Sequence, residues 1–162
     1  MNENTKDIRR RPARPASLDE VDRKLLGLLA EDATRSYAEL GRLLHLSPPA
    51  VHERAKRLKR DGVIAATAAR LSGPKLGRGL LAFVHVDTEG WGKSAPMLAL
   101  SQLPEVEEIH SVTGDTSVLL KVRMSDTQGL EDLLARLYAI EGVKGTRSYI
   151  VLSTFLERGP QP

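Results

Sequence analysis

The chain has 162 residues, of which 41% are hydrophobic and 28% charged, so it can form one ordinary domain or two small domains with modest cores. It contains no cysteine, which excludes disulfide bonds and thiolate metal sites and suits a reducing compartment. No apolar run approaches the roughly 18 residues of a membrane span and no signal peptide is recognisable, so we expect a cytoplasmic protein without a membrane partner.

Charge is unevenly distributed along the chain. The first 62 residues hold 14 Lys and Arg against 10 Asp and Glu, whereas residues 63–162 hold 10 against 11. The positive half is therefore the half expected to meet a polyanion. Within it, residues 1–16 contain four arginines, two prolines and almost no apolar side chain. This composition predicts a disordered basic tail, either solvated or lying along phosphates.

Helix start signals recur after the tail. Ser17 and Glu20 have the spacing of a capping box and open a helix that ends near Asp32. Ser36 and Glu39 repeat the spacing before a second, shorter helix. These signals predict two helices before residue 45.

A third helix follows a very short turn at His45 and Leu46. Ser47 is a natural N-cap, Pro48 suits the first helical position, and Gly62 is typical of a helix end. Two short helices joined by a tight turn predict a helix-turn-helix, and the first helix completes a three-helix unit.

The third helix has a packing face and a free face. Val51, Ala55 and Leu58 share one side at about 100° per residue, and polar side chains lie opposite. Because the N-terminal part of a recognition helix reaches base edges, we predict that base contacts lie just after the cap Ser47, at Pro48, Pro49, His52, Glu53 and Lys56. The predicted phosphate contacts are Arg54, Arg57, Lys59 and Arg60. A solvated basic face without DNA is the alternative interpretation.

The segment after the third helix is predicted to be a strand over residues 63–71, either a wing or a lever leaving the helix-turn-helix. Residues 72–79, SGPKLGRG, contain three glycines but lack the Gly-Lys-Ser/Thr ending of a P-loop. We interpret them as a hinge between a winged helix-turn-helix domain at residues 17–71 and a second domain at residues 80–157.

The second domain alternates between strand and helix patterns. The predicted order is a strand at 80–87, a helix at 92–103, strands at 106–113 and 118–124, a helix at 126–140 and a strand at 143–156. This β-α-β-β-α-β order predicts a ferredoxin-like antiparallel sheet with two helices on one face, and an α+β fold class for the chain. Phe83 and apolar neighbours on the uncovered face are expected to meet a second copy.

The connection between the second and third strands of that domain has two interpretations. Gly114 followed by Asp115 is ordinary turn chemistry, so a plain β-turn is one of them. The other is an amino-acid site, in which Asp115 binds an ammonium group and backbone N–H groups near Gly114 bind a carboxylate.

Signatures of catalysis or metal binding are lacking in the sequence. The four histidines are scattered singly, without a recognisable metal-ligand partner, and no nucleophile motif is present. We therefore expect neither a metal nor a cofactor, and no enzyme activity; a small ferredoxin-like enzyme has no support beyond fold.

The chain resembles the Lrp/AsnC family of leucine- and asparagine-responsive regulators, from about Leu18 to Phe155. The residues that carry the resemblance are Leu18, Asp19, Asp22, Glu39, Leu40, Leu46, Ser47, Val51, Arg54, Arg57, Leu58, Gly62, Val63, Ile64, Lys75, Leu76, Gly77, Val112, Thr113, Gly114, Asp115, Gly142 and Val143. Their succession at family spacing is specific, although each motif alone would be weak.

The resemblance implies a transcriptional regulator with an N-terminal winged helix-turn-helix for double-stranded DNA and a C-terminal domain for assembly and effector binding. It also implies homodimers that associate further, often into octamers, in a nucleoid-associated cytoplasmic protein. The implied effector is an amino acid, at a site comprising Thr113, Gly114, Asp115, Ser117, Thr146 and Ser148. The usual family loop has an aromatic residue and a second acid where this chain has Thr116 and Ser117.

That missing acid leaves a second hypothesis open. An architectural protein that wraps DNA with low sequence preference and no effector fits the same basic helix and the Arg-rich tail. A large difference in affinity between specific and scrambled DNA distinguishes a regulator from it.

Overall fold

The structure, a computed structural model, describes residues 15–89 and 99–162. The predicted basic tail lies almost wholly outside the described residues, as does most of the helix predicted at residues 92–103, of which Ala99 and Leu100 are helical. The chain divides into two compact units at Arg70/Leu71 and Phe155/Leu156. We call residues 15–70 with 156–162 the helical unit, and residues 71–89 with 99–155 the sheet unit.

Three helices build the helical unit: α1 (Glu20–Glu31), α2 (Tyr37–Leu44) and α3 (Pro48–Arg60). Their apolar faces meet in one small core, whose buried members are Leu25, Leu40, Val51, Ala55 and Leu58. Because Val51, Ala55 and Leu58 all point inwards, the predicted packing face of α3 is confirmed and its other face is left outside.

The start of α1 differs from the prediction. Asp19 is the N-cap, and its carboxylate accepts the Asp22 N–H at 2.7 Å while the Asp22 carboxylate accepts the Asp19 N–H at 3.2 Å. The capping box is therefore Asp19/Asp22, and the expected Ser17/Glu20 pair is wrong. The Ser17/Glu20 and Asp19/Asp22 pairs have the same spacing and overlap in sequence. The structure forms the Asp19/Asp22 capping box, whose second acid, Asp22, is buried in the helical unit.

The end of α3 folds back on itself. Gly62 has a φ of 73°, and the N–H groups of Val63 and Ile64 both donate to the Leu58 carbonyl, at 2.9 and 3.1 Å. The strand predicted over residues 63–71 does not form, because residues 65–70 have no neighbouring strand among the described residues and are exposed.

The predicted hinge is folded. Pro74–Leu76 form a 3-10 helix that ends at Gly77 with a φ of 74°, and the Arg78 N–H donates to the Gly73 carbonyl at 2.8 Å. This segment belongs to the sheet unit, and the chain leaves the helical unit after Arg70. Its role as a hinge stays a prediction.

The sheet unit contains β1 (Leu80–Thr88), β2 (Val106–Ser111), β3 (Val118–Met124), α4 (Thr127–Tyr138) and β4 (Val143–Ile150). The four strands lie in the order β2-β3-β1-β4 and every neighbouring pair is antiparallel. This is the ferredoxin-like arrangement, so the predicted α+β fold class is confirmed. β4 stops six residues before the predicted end, since its pairing with β1 ends at Ala82↔Ile150.

Alternation along the strands creates two different faces. Val84 and Val86 of β1 are buried in a core with Leu133 and Leu137 of α4. Since neighbouring side chains of a strand point to opposite faces, Phe83, His85 and Asp87 lie on the other side. We call this side the open face.

Candidate nucleic-acid interface and effector loop

The first turn of α3 is held by its cap and exposed to solvent. The Ala50 N–H donates to Ser47 Oγ at 3.4 Å, and Pro48 occupies the first helical position, as predicted. Pro48, Pro49 and His52 are exposed. The ring of His52 lies 5.1 Å from that of Tyr37, which is the first residue of α2. The predicted base-contacting residues are therefore accessible and carried by a fixed helix start.

The turn between α2 and α3 depends on a residue that sequence reasoning missed. A Cβ on Gly41 would lie 2.6 Å from the Leu46 carbonyl oxygen, and the Leu46 N–H donates to the Gly41 carbonyl at 2.9 Å. His45 reverses the chain with a left-handed φ of 55°. Only glycine lets the two segments approach this closely. A glycine in the middle of a short helix was the available signal.

Two arginines of α3 are engaged inside the helical unit. Arg57 Nη2 lies 2.6 and 2.7 Å from the two carboxylate oxygens of Asp22, and Arg54 Nη1 donates to both Asp22, at 2.8 Å, and Asp19, at 2.7 Å. The Asp22 side chain is only 1% exposed. The guanidinium groups of Arg54 and Arg57 thus tie α3 to the start of α1. Their contact with phosphates stays a prediction.

The electrostatics of this cluster favour its charged form. Burial by itself raises the pKa of the Asp22 carboxyl group, but hydrogen bonds from Arg57 and Arg54 outweigh it and the pKa lies below its ordinary value. The pKa of Asp19 is also lowered, first by the Asp22 N–H and then by Arg54. We call Asp19, Asp22, Arg54 and Arg57 the acid–arginine cluster.

The remaining basic side chains of α3 are Lys56, Lys59 and Arg60, and all three are exposed. Arg60 contacts the neighbouring Asp61 at 2.9 Å, in a pair whose side chains are 73% and 41% exposed. Such a surface pair is weak and exchanges readily for a phosphate. Lys59 and Arg60 remain candidates for the DNA backbone. Lys56, which the sequence predicted to contact bases, is accessible beside them and becomes a third candidate.

The loop between β2 and β3 carries the predicted effector residues. Thr113, Gly114 and Asp115 are exposed, and Gly114 has a φ of 117°, which only glycine adopts without strain. Thr116 is buried, and its hydroxyl donates to the Val86 carbonyl at 3.1 Å. The side chain of Thr116 thus anchors the loop to β1.

Asp115 has a partner that the sequence did not reveal. Arg147 Nη1 of β4 donates to Asp115 Oδ2 at 3.0 Å, and Arg147 Nη2 lies 3.8 Å from Asp87 Oδ1. The hydrogen bond from Arg147 lowers the pKa of the Asp115 carboxyl group and raises that of the Arg147 guanidinium group. A carboxylate of the loop and a guanidinium group of β4 therefore lie side by side. The Asp115 side chain is 80% exposed and the Arg147 side chain 44% exposed.

Thr146 and Ser148 are not brought to Asp115 within this chain. Thr146 pairs in register with the core residue Val86 and its Oγ1 lies 3.3 Å from the hydroxyl of Tyr138 on α4. Residues 146 and 148 therefore project towards the helix-covered face, whereas Arg147 projects towards the open face. Their effector role stays a prediction, and within one chain Arg147 is the β4 residue beside the loop.

The open face is more polar than predicted. Lys121 contacts Glu108 at 3.1 Å, Arg123 contacts Glu107 at 2.6 Å, and the His85 and Tyr149 rings are 5.1 Å apart. Phe83 is half-buried among them. We expected an apolar surface for a second copy. The open face instead has aromatic residues bordered by ion pairs.

Residues 15–89 and 99–162 bear on two further classes of site. No group of three or more potential metal-binding side chains occurs there. No helix in the same residues is long and apolar enough to cross a membrane.

Comparison with known proteins identifies the class. Residues 18–59 match the AsnC-type helix-turn-helix domain, and residues 81–161 match the Lrp/AsnC ligand binding domain. These matches define an HTH-type transcriptional regulator with a ligand-binding domain. The chain belongs to the Lrp/AsnC family.

Relatives support this assignment over nearly the whole chain. The leucine-responsive regulatory protein of Escherichia coli is 35% identical over 153 residues, covering 90% of each protein. The HTH-type transcriptional regulator FL11 of Pyrococcus horikoshii is 32% identical, covering 90% of this chain and 96% of the relative.

Solved structures agree. Escherichia coli AsnC has a TM-score of 0.83 at 27% identity, covering 91% of this chain and 100% of that one. The transcriptional regulator NMB0573 of Neisseria meningitidis, solved as a complex with L-Met, has a TM-score of 0.84 at 29% identity, covering 90% and 97%.

Proposed function

We propose that this regulator places the exposed first turn of α3 in the DNA major groove and holds the backbone with Lys56, Lys59 and Arg60. The observation that carries the proposal is the division of α3: its inner arginines are bound by Asp22, and its outer cations and first turn are accessible. Two copies of a helix-turn-helix read half-sites about one helical turn apart, or a multiple of it, so partly palindromic sites are expected.

Binding to a specific and a scrambled duplex over a salt series tests this proposal. A regulator keeps a specificity ratio of at least about 1,000-fold at physiological salt. A ratio near one at every salt concentration would favour an architectural protein. Both kinds of protein lose affinity as salt rises, so the ratio and not the slope decides between them.

Lys56→Ala should weaken binding to specific and scrambled DNA alike, and should lower the salt slope by about 1 if Lys56 contacts one phosphate. Thermal stability should be unchanged, because Lys56 is exposed. Fluorescence anisotropy with both duplexes measures the effect. Lys24→Ala, which removes an exposed lysine of α1 paired with Glu20, is the matched control and should leave affinity unchanged. Equal affinity of Lys56→Ala and the parent would remove α3's outer face from the interface.

We further propose that the Asp115–Arg147 pair receives an amino acid. A zwitterion inserted between them offers its ammonium group to Asp115 and its carboxylate to Arg147, replacing one exposed ion pair by two. The L-Met complex of the Neisseria meningitidis relative supports an amino-acid effector for this chain. Thr146 and Ser148 lie on the other face of the sheet within one chain, so they would contact the amino acid only if it bound between two copies.

Asp115→Ala should abolish any thermal stabilisation produced by an amino acid in a screen of the common amino acids. Ligand that binds only the folded protein raises the melting temperature, by an amount set by its concentration relative to Kd. Arg147→Ala should have the same effect. Lys144→Ala is the control: Lys144 lies on the same strand as Arg147 and forms an exposed pair with Glu89, and its loss should retain the stabilisation. A parent protein that none of the amino acids stabilises would overturn the effector proposal.

Assembly is proposed to occur through the sheet units, as dimers that associate further. The half-buried Phe83 and the exposed Tyr149 on the open face support a contact surface there. Sedimentation velocity measures the oligomer directly. A cytoplasmic, nucleoid-associated location follows from the proposed DNA partner.

A further inference from the structure

The last seven residues of the chain belong to the helical unit, although α4 and β4 precede them. The chain leaves this unit after Arg70 and returns to it at Leu156. The helical unit is therefore built from both ends of the described chain, and its final segment has no counterpart in the expected winged helix-turn-helix.

Two contacts hold this segment in place. Arg70 binds Glu157 twice, through Nη2 to the carboxylate at 2.6 Å and through Nη1 to the backbone carbonyl at 2.7 Å. At the other end, Pro162 lies beside α1, since a Cβ on Gly27 would be 3.9 Å from Pro162 Cγ. The segment thus spans from the residue at which the chain leaves the unit to the middle of α1.

Between these contacts the segment closes an apolar cavity. The cavity measures about 790 Å³ and is lined by Leu26 and Leu29 of α1, by Val63 and Ile64 after α3, and by Pro160 and Pro162. It lies on the side where α1 meets the residues that follow α3. The exposed first turn of α3 does not line it, whereas Lys59, one of the three proposed backbone contacts, does.

We propose that residues 156–162 form a strap that fixes α1 against the segment after α3 and so keeps α3 ready for DNA. The DNA part of this inference rests on the proposed function. α1 positions α3 through the acid–arginine cluster, so a restrained α1 restrains the orientation of α3. A pre-ordered surface loses less conformational freedom on binding, which is how the strap raises DNA affinity without touching DNA.

The strap can detach from α1 at a low cost in free energy. Its ion pair is exposed, at 64% and 41% for the Arg70 and Glu157 side chains, and exposed pairs contribute little. Its prolines, Pro160 and Pro162, limit the freedom of the open segment, so closing it costs less than closing a flexible tail. Both states are then accessible.

Disulfide trapping tests the position of the strap. The chain has no cysteine, so Gly27→Cys with Pro162→Cys introduces the only two thiols. Mild oxidation of the full-length protein should give an intrachain disulfide, because a Cβ at position 27 lies within bonding reach of residue 162. Glu20→Cys with Pro162→Cys is the control, since it moves the thiol about 10 Å along the same helix. No cross-link, or a cross-link only between two chains, overturns the strap.

Charge reversal tests its function. Arg70→Glu and Glu157→Arg each break the pair, and we expect both to weaken DNA binding, by about twofold to tenfold, while the double variant recovers the parent affinity. A direct effect of charge on DNA has a different signature, because Arg70→Glu then weakens binding and Glu157→Arg strengthens it. Opposite shifts of the two single variants overturn the role of the strap in binding.

A third outcome separates this inference from the proposed function. If the parent protein binds no DNA, the proposed function fails and the DNA role of the strap fails with it, yet the disulfide result still decides whether the segment lies on α1. Mixing the two single variants completes the experiment. Recovery in the mixture, in addition to the double variant, would place the Arg70–Glu157 pair between two copies, which overturns a strap within one chain.

Discussion

Replacing Asp22 by alanine should lower the free energy of unfolding of the helical unit by about 2 to 4 kcal/mol. The change removes a 1% exposed carboxylate and leaves the guanidinium groups of Arg54 and Arg57 without their shared partner. A fully buried cluster would lose more, but the arginine side chains are 28% and 38% exposed and water replaces part of the lost interaction. Denaturant unfolding followed by helical circular dichroism measures the change.

Glu20→Ala is the matched control for this prediction. Glu20 lies two residues earlier on α1, is 79% exposed and forms an ion pair with Lys24, so its loss should leave stability nearly unchanged. Similar losses for Glu20→Ala and Asp22→Ala would contradict a structural role for the acid–arginine cluster.

The pH dependence of stability gives a second reading of Asp22. Its folded pKa lies below the ordinary value of about 4, so the unfolded chain binds the proton more readily. The stabilisation is therefore present above about pH 4 and is lost as the pH falls through the folded pKa. Asp22→Asn, which cannot titrate, should show a flatter loss of stability in acid than the parent.

Gly41→Ala should destabilise the helical unit by about 1 to 3 kcal/mol and severely weaken DNA binding. The added methyl group would lie 2.6 Å from the Leu46 carbonyl oxygen, which is backbone and cannot rotate away. Relief requires α2 and α3 to separate at the turn that sets their angle. Melting temperature and anisotropy with a specific duplex together measure both effects.

Gly27→Ala is the matched control at a second helical glycine of the same unit, and it should stabilise the unit where Gly41→Ala destabilises it. Its new Cβ would meet nothing closer than Pro162 Cγ at 3.9 Å, an ordinary contact. Alanine favours a helix interior over glycine, so the variant should gain about 0.5 to 1 kcal/mol. Equal destabilisation by the two alanines would show that the close approach at Gly41 is not the cause.

Sequence reasoning succeeded where the determinants are local. The cap at Ser47, Pro48 after it and Gly62 at the end define α3 within sixteen residues, and the structure confirms all three. The strand and helix order of the sheet unit was also predictable, because alternation and helical period are properties of short segments. The fold class follows from these elements in order.

Contacts between residues that are distant in sequence could not be predicted. Arg54 and Arg57 sit on a face of α3 that composition alone presents as basic, yet their acid lies 32 and 35 residues earlier. Nothing within α3 distinguishes them from Lys56. In the same way, the strand expected at residues 63–71 had a suitable pattern, but a strand requires a neighbour and the described chain supplies none.

The partner of Asp115 could not be predicted either, because it depends on the register of strand pairing. Alternation indicates that Arg147 points away from Thr146 and Ser148, but only the pairing of β1 with β4 shows which of them faces Asp115. A one-residue change in register would exchange the two sets. The acid at Asp115 was therefore predictable and its partner was not.

The return of the chain to the helical unit affects how this protein is made. During synthesis residues 15–70 emerge first, but the Arg70–Glu157 contact must wait until residue 157 has been translated. Residues 15–70 therefore spend most of translation without residues 156–162, which complete the helical unit. A fragment that ends at residue 70 lacks them permanently. A purification tag fused after Pro162 would start beside Gly27 and extend from a wall of the apolar cavity.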